Sequence, residues 1–298
     1  MDVMDIGITL PQYGTHARAD LIASYARDAE EIGFDSLWVG DRSLTPVEPS
    51  DLYPGHTAEN PYPEGFKRFV DPFVALSAAA AGTTRVRLGT STLSAPWYPP
   101  LLLARSLTSL DLLSNGRLDP GFGIGWMRDE YTAVNADFSR RGAQLDEILD
   151  FLAAIWTQNP FSHTGRTWQV PTSYVDLRPA RPGGPPVYLG GFSPAAMSRV
   201  GRRATGWVGA AMPDAGHSAL WGIARKAAED AGRDPDALRQ LIRVNVRAGQ
   251  SAEDIAATMR SVRAWGAEGA FVELQQAVRE PGEALELGAK VRDLVLAG

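Results

Sequence analysis

The stretch Pro186-Val187-Tyr188-Leu189-Gly190-Gly191-Phe192-Ser193-Pro194 reads as a buried strand that ends in two glycines and opens at once into a helix. Val187 to Leu189 is a short apolar run bounded by turn residues. Ser193 followed by Pro194 is a helix start, with serine as N-cap and proline at the first helical position. A helix end of this kind presents free backbone N–H groups and a partial positive charge, and Gly190 and Gly191 carry no side chain to keep an anion away. Two readings follow: a phosphate cradle, or a tight strand-to-helix turn and nothing more.

Outward from this turn the same strand-then-helix unit recurs along the chain. Ile6 to Leu10, Ser36 to Val39, Val86 to Thr92, Phe122 to Trp126, Val187 to Leu189, Trp207 to Ala210, Leu241 to Val246 and Ala270 to Leu274 read as strands. Helical patterns follow them at Asp20 to Ile32, Asp71 to Ala81, Pro100 to Leu113, Gln144 to Trp156, Pro194 to Arg203, Leu220 to Ala231, Ala252 to Trp265 and Glu283 to Leu296. Leu21, Ile22, Tyr25, Ala29 and Ile32 fall on one face of the first helix, and Gly33 ends it. Repeated βα units argue for a parallel sheet covered by helices. The count and the 298-residue length fit an α/β fold of the (β/α)8 TIM-barrel type, read as one domain over 1–298. Two insertions are expected. A loop of about thirty residues follows the second strand, far beyond the usual βα connection, and its Tyr53, His56, Tyr62, Phe66 and Phe69 suggest an ordered lid or pocket wall. Asn159 to Pro182, in the middle of the chain, is irregular, with a short strand at Thr167 to Val170. A doubly wound dinucleotide fold is disfavoured, because Gly121 to Trp126 lacks the spacing of the glycine fingerprint.

Composition excludes several classes of function. With 44% hydrophobic residues the chain buries a large core, and a formal net charge of −6 without a basic stripe argues against nucleic acid as a partner. No apolar run is long enough to span a membrane, and a cytoplasmic location is expected. The chain has no cysteine, which removes disulfides, thiolate metal sites and cysteine nucleophiles. His16, His56, His163 and His217 are far apart in sequence, so no metal is expected. The expected partner is a small-molecule substrate, with a homodimer left open.

In a barrel of this kind ligands meet the loops that follow each strand. Gln12 and Tyr13, Asp41 and Arg42, Ser91 to Trp97, and Trp126 to Glu130 all occupy such positions. Asp41 is a candidate carboxylate with a cationic neighbour, or a surface turn. Glu130 is a candidate acid, or a helix cap. Trp97, Tyr98 and Trp126 are candidates for stacking on a planar ring, or for core packing. Ser-His-Asp order, hydrolase metal motifs and a Walker loop are missing.

Taken in order, several motifs resemble the luciferase-like monooxygenase superfamily, and more closely its deazaflavin-dependent class. They are Glu31 to Arg42, Arg85 to Ser91, Leu113 to Leu118, Gly123 to Trp126 with Glu130-Tyr131, Arg141-Gly142, and Pro185 to Ser193. The resemblance implies a barrel with a deazaflavin (coenzyme F420) or FMN lying across the strand ends. Ser91, Thr92, Gly125 and Trp126 would line the ring, and Gly190, Gly191, Phe192 and Ser193 would hold the phosphate. A cis peptide is implied at Ser91-Thr92. Asp41, His56, Tyr53 and Glu130 are candidate proton donors, with Asp41, His56 and Glu130 taken as the catalytic set and Tyr13, Arg42, Tyr53 and Trp97 as the substrate pocket. The implied activity is hydride transfer between a reduced deazaflavin and a small organic substrate. An FMN-dependent monooxygenase using oxygen and a non-catalytic flavin-binding barrel are the alternatives. The chain departs from the pattern twice. Relatives that oxidise sugar phosphates carry histidine where this chain has Arg42, and arginine cannot serve as a base at neutral pH. Asp119-Pro120 interrupts an otherwise apolar strand, where proline cannot donate to the ladder.

Overall fold

The computed structural model describes residues 4–298. Its strands are β1 (Asp5–Thr9), β2 (Ser36–Val39), β3 (Arg87–Thr90), β4 (Leu93–Ser94), β5 (Leu118–Asp119), β6 (Gly121–Gly123), β7 (Phe161–Thr164), β8 (Gln169–Ser173), β9 (Tyr188–Gly190), β10 (Gly206–Ala210), β11 (Arg239–Asn245) and β12 (Gly269–Glu273). The helices are α1 (Ile22–Ile32), α2 (Pro72–Gly82), α3 (Pro100–Leu113), α4 (Arg128–Ala133), α5 (Arg141–Thr157), α6 (Pro194–Arg203), α7 (Asp214–Asp230), α8 (Ala252–Ala264) and α9 (Pro281–Leu296). All but β7 and β8 belong to one curled parallel sheet, ordered β4-β6-β9-β10-β11-β12-β1-β2-β3-β5. Its two ends are joined by the chain itself. β3 runs into β4 through Ser91-Thr92, and β5 runs into β6 through Pro120, while β3 pairs with β5 and β4 with β6.

The two interruptions are adjacent and compensate each other. Pro120 donates no hydrogen bond, yet its carbonyl accepts the Tyr188 N–H at 2.9 Å. Beside it the Thr90 hydroxyl donates to the Gly121 carbonyl and accepts the Gly121 N–H, both at 2.8 Å. A side chain thus replaces the ladder bonds lost at the break. Buried Asp119 is paired with Arg87 and lies 3.8 Å from Arg181, which accounts for a charged residue within this apolar strand. The Ser91-Thr92 peptide is cis, as the family resemblance implied.

Local signals account for the helix ends. Asp71 accepts the Val74 N–H at 2.9 Å at the start of α2, and Ser193 accepts the Ala196 N–H at 3.2 Å at the start of α6. Gly33 closes α1 at φ +100°. Glu30 and the motif residue Arg117 tie connections together. Glu30 accepts the N–H groups of Thr84, Arg85 and Val86, and Arg117 donates to the carbonyls of Ala80, Thr83 and Val86 at the end of α2. Residues 40–71, between β2 and α2, run over the ends of the strands, and β7 and β8 form a separate antiparallel pair between α5 and β9.

Inside the sheet, Trp38, Tyr188, Val208, Leu241 and Phe271 form a buried cluster, with the Trp38 and Phe271 rings stacked at 4.2 Å. This packing requires Gly89, because a β-carbon there would lie 2.3 Å from the Trp38 ring. Gly89→Ala should therefore cost about 1–3 kcal/mol of stability, as overpacked cores do. A urea midpoint equal to wild type, with an unchanged near-UV spectrum, would show that Trp38 is free to move aside.

Candidate active site

The ends of β1, β2, β3, β11 and β12, with the loops after β2 and β6, surround a cavity of about 910 Å³ counting its open mouth. That is a volume suited to a small ligand or part of a cofactor. Of the residues singled out from sequence, Tyr13, Asp41, Arg42, Tyr53, Ser91, Thr92, Trp97, Gly125, Trp126 and Glu130 meet there. His56 does not. It turns to its own loop, with Nδ1 3.0 Å from the Asn60 carbonyl and the ring edge-on to Tyr53.

Gly190, Gly191, Phe192 and Ser193 lie at the start of α6, outside the cavity lining. Gly190 is packed against Thr92, whose methyl group would be 2.8 Å from an added β-carbon. Gly191 has φ +132°, and its β-carbon would lie 2.6 Å from that of Ala196. Both glycines therefore have a packing reason for being glycine. The phosphate reading rests instead on the helix end beside them, where one N–H is already taken by Ser193.

Two of the three carboxyl groups lining the cavity, Asp41 and Glu130, have contrasting environments. Asp41 accepts the Ser94 N–H at 2.9 Å and the Tyr98 hydroxyl at 3.0 Å. Burial raises its pKa to about 6, with those two donors only partly opposing the shift. Glu130 is instead paired with Arg42 at 3.2 Å, the pair being almost wholly buried, and it also accepts the Ser43 N–H at 2.9 Å. Burial raises the Glu130 pKa too, with Arg42 pulling it back. The Arg42 guanidinium lies between the rings of Phe66 and Trp126, at 4.7 and 4.8 Å from their centres. Glu130 is neither a free acid nor a helix cap. It clasps the loop after β2 to α4.

Neighbouring residues extend that clasp. Asp129 accepts the Ser50 N–H and hydroxyl at 2.8 Å, and the Arg128 N–H donates to Asp51 at 2.8 Å. Tyr53 meets Phe66 and Trp126 edge-on. The long loop is thus an ordered wall. Gln12 has a structural role, bridging Gly40 and the Val70 carbonyl.

Several lining residues escaped the sequence reading: Trp38, Arg243, Asn245, Phe271, Glu273 and Gln276. Glu273 is buried, which raises its pKa, and it accepts the Gln275 N–H at 2.9 Å. The signal available was Arg243 and Asn245 at alternate positions of an apolar strand, where one face must turn inward. Two buried donors of the cavity lining, Trp97 Nε1 and Arg243 Nε, have no hydrogen-bond partner among the described residues. Among the described residues no group of three His, Asp or Glu is arranged to hold a metal, and no helix is long and apolar enough to cross a membrane.

With this geometry in place, the chain can be compared with known proteins. The family model for luciferase-like monooxygenase matches residues 4–293, and the chain belongs to that family. It is 32% identical over 187 residues to uncharacterized protein Rv0953c of Mycobacterium tuberculosis, covering 62% of this chain and 66% of that one, just under two thirds of the relative's length. It is 28% identical over 273 residues to an F420-dependent glucose-6-phosphate dehydrogenase of Kineococcus radiotolerans, covering 89% of this chain and 74% of that one. Among solved structures, an F420-dependent secondary alcohol dehydrogenase in complex with an F420-acetone adduct superposes with TM-score 0.80 at 14% identity, over 99% of both chains. Monooxygenase RslO1 from Streptomyces bottropensis superposes with TM-score 0.78 at 20% identity, also over 99% of both. These likenesses show the fold: a curled parallel sheet of the luciferase-like barrel type.

Two outcomes test the site geometry. Arg42→Met leaves the buried Glu130 carboxylate uncompensated and should lower stability by about 3 kcal/mol. Adding Glu130→Gln should restore part of that loss. Urea unfolding reads both, with faster proteolysis within residues 43–69 as the local sign. The second outcome concerns pH. Asp41 binds its proton more tightly folded, at about 6, than unfolded, near 3.8. Stability should therefore fall as pH rises from about 4 to about 6, by at most about 3 kcal/mol. Asp41→Asn should remove that part of the slope, and superimposable wild-type and variant pH profiles would contradict it.

Proposed function

We propose that the chain is an oxidoreductase that uses the deazaflavin coenzyme F420 to transfer hydride to or from a small organic substrate. The observation that carries this reading is a single cavity combining a carboxyl group poised near neutrality, aromatic walls and two unpartnered buried donors. The F420-dependent dehydrogenases among the relatives support the coenzyme.

The residues fit such a group. Trp97 Nε1 and Arg243 Nε are donors suited to ring or substrate oxygens, and Trp126 and Tyr53 offer flat apolar surface. Ser91, Thr92, Gly125 and Trp126 would hold the ring, and Gly190, Gly191, Phe192 and Ser193 the phosphate at the α6 N-terminus. When bound, the deazaflavin supplies two-electron hydride chemistry. Asp41 holds or releases the proton that accompanies it, being oriented by Tyr98 and Ser94 and having a pKa raised to about 6. Arg42 and Glu130 fix the wall against which the substrate lies, and Tyr13, Tyr53 and Trp97 complete the pocket. In the same reading the sheet joined through Pro120 is a complete (β/α)8 barrel, residues 40–71 and 158–187 are insertions into it, and the chain is one domain.

Anaerobic titration tests the coenzyme. The deazaflavin should bind more tightly than FMN, seen as quenching of its fluorescence. Tight FMN binding with no response to the deazaflavin would replace this reading by an oxygen-using monooxygenase. Binding of either without turnover across a substrate panel would leave a non-catalytic flavin-binding barrel. Ser193→Asp retains an N-cap residue while placing negative charge at the proposed phosphate position. It should weaken deazaflavin binding at least tenfold with little change in stability, and unchanged affinity would move the phosphate elsewhere.

A further inference from the structure

We infer that Arg243 selects the substrate by docking an acceptor oxygen, a carbonyl or carboxylate, of a small molecule with a flat apolar body. This rests on the reading of the cavity as a substrate site.

Arg243 and Asn245 project from one face of β11, and their register partners on β12 are Phe271 and Glu273. All four line the cavity. Among the described residues the Arg243 guanidinium has one hydrogen-bond partner, the Ser91 carbonyl, which it reaches across the barrel at 3.2 Å from Nη1. Its Nε is buried and unpartnered. Among the described residues Arg243 forms no ion pair, whereas Arg42 is fully committed to Glu130 and two aromatic rings. A guanidinium carries five donors and no acceptor, and a buried donor left without a partner is unfavourable. A ligand oxygen would satisfy it.

The surroundings restrict the ligand further. Glu273 accepts the Gln275 N–H and feels the Arg243 charge nearby, which lowers its pKa against burial without an ion pair between them, and the Tyr13 hydroxyl accepts from Gln276 Nε2 at 3.1 Å. Beside Arg243 the floor is the stacked Trp38 and Phe271 pair. A cation with a free donor set into an aromatic floor matches an oxygen joined to a flat apolar group. Arg243 is thus a positioning residue that decides which molecules enter in which orientation.

The experiment uses the full chain without coenzyme and three probes of similar size: acetophenone, benzoate and ethylbenzene. Calorimetric affinities are measured for wild type, Arg243→Lys and Arg243→Gln, with near-UV circular dichroism to verify the fold. Arg243→Gln should bind acetophenone and benzoate at least tenfold more weakly while keeping its affinity for ethylbenzene, and Arg243→Lys should fall between. Loss for benzoate alone assigns the site to a carboxylate, and loss for both to any acceptor oxygen. The inference is overturned if the oxygen-bearing probes bind wild type no better than ethylbenzene, if they bind Arg243→Gln as well as wild type, or if all three weaken together. A deazaflavin titration of the same variants separates the two levels of the argument. A tenfold loss of coenzyme affinity with probe affinities intact would assign Arg243 to the coenzyme and overturn the inference. Failure of wild type to bind the deazaflavin would remove the coenzyme reading and leave the probe series intact.

Discussion

The hydroxyl of Thr90 spans a gap in a buried sheet. Its neighbours Ser91-Thr92 and Pro120 interrupt two adjacent parallel strands at the same height, and a parallel sheet covered on both faces has no water to satisfy the backbone groups exposed there. By donating to and accepting from Gly121, Thr90 allows both strands to resume beyond the break. The resumed segment β4 carries the Ser94 N–H to Asp41 and is followed by Tyr98, so the chain beyond the interruption supplies both hydrogen-bond donors to Asp41.

Around the cavity, chemically similar residues have been given different tasks by their surroundings. Asp41 accepts only from neutral donors, which leaves burial to raise its pKa to about 6. Glu130 meets a guanidinium and backbone N–H groups, and serves as a clasp. The arginines differ likewise. Arg42 is enclosed between two rings and a carboxylate, while Arg243 keeps a donor in reserve. The ordered wall over residues 43–69 follows from the first pair, because the loop is tied down by Arg128, Asp129 and Glu130 in succession.

Much of the fold was legible. The spans read for β2, α3 and α6 match the observed ones, since proline starts, serine or asparagine-glycine ends and apolar periodicity act within a few residues. The short α4 was not foreseen, having six residues and no side-chain cap to announce it. The hairpin of β7 and β8 was read only as one short strand within irregular chain, because its residues are largely exposed and alternate weakly. Ten of the sequence-derived site residues do meet at one cavity. The rule that ligands gather at strand ends found them, but it named no residue on β11 or β12, and so passed over Arg243 and Glu273.

By itself the sequence determined the order of the main sheet's strands and their covering helices, their parallel arrangement and the family to which the chain belongs. Those features depend on local backbone preferences and on a repeating apolar pattern. Tertiary structure alone decided which charges are spent and which are free. Arg42 and Glu130 are 88 positions apart, and Arg243 and Ser91 are 152. A side chain's electrostatic role is fixed by neighbours within a few ångströms, and only the closed fold determines who those neighbours are.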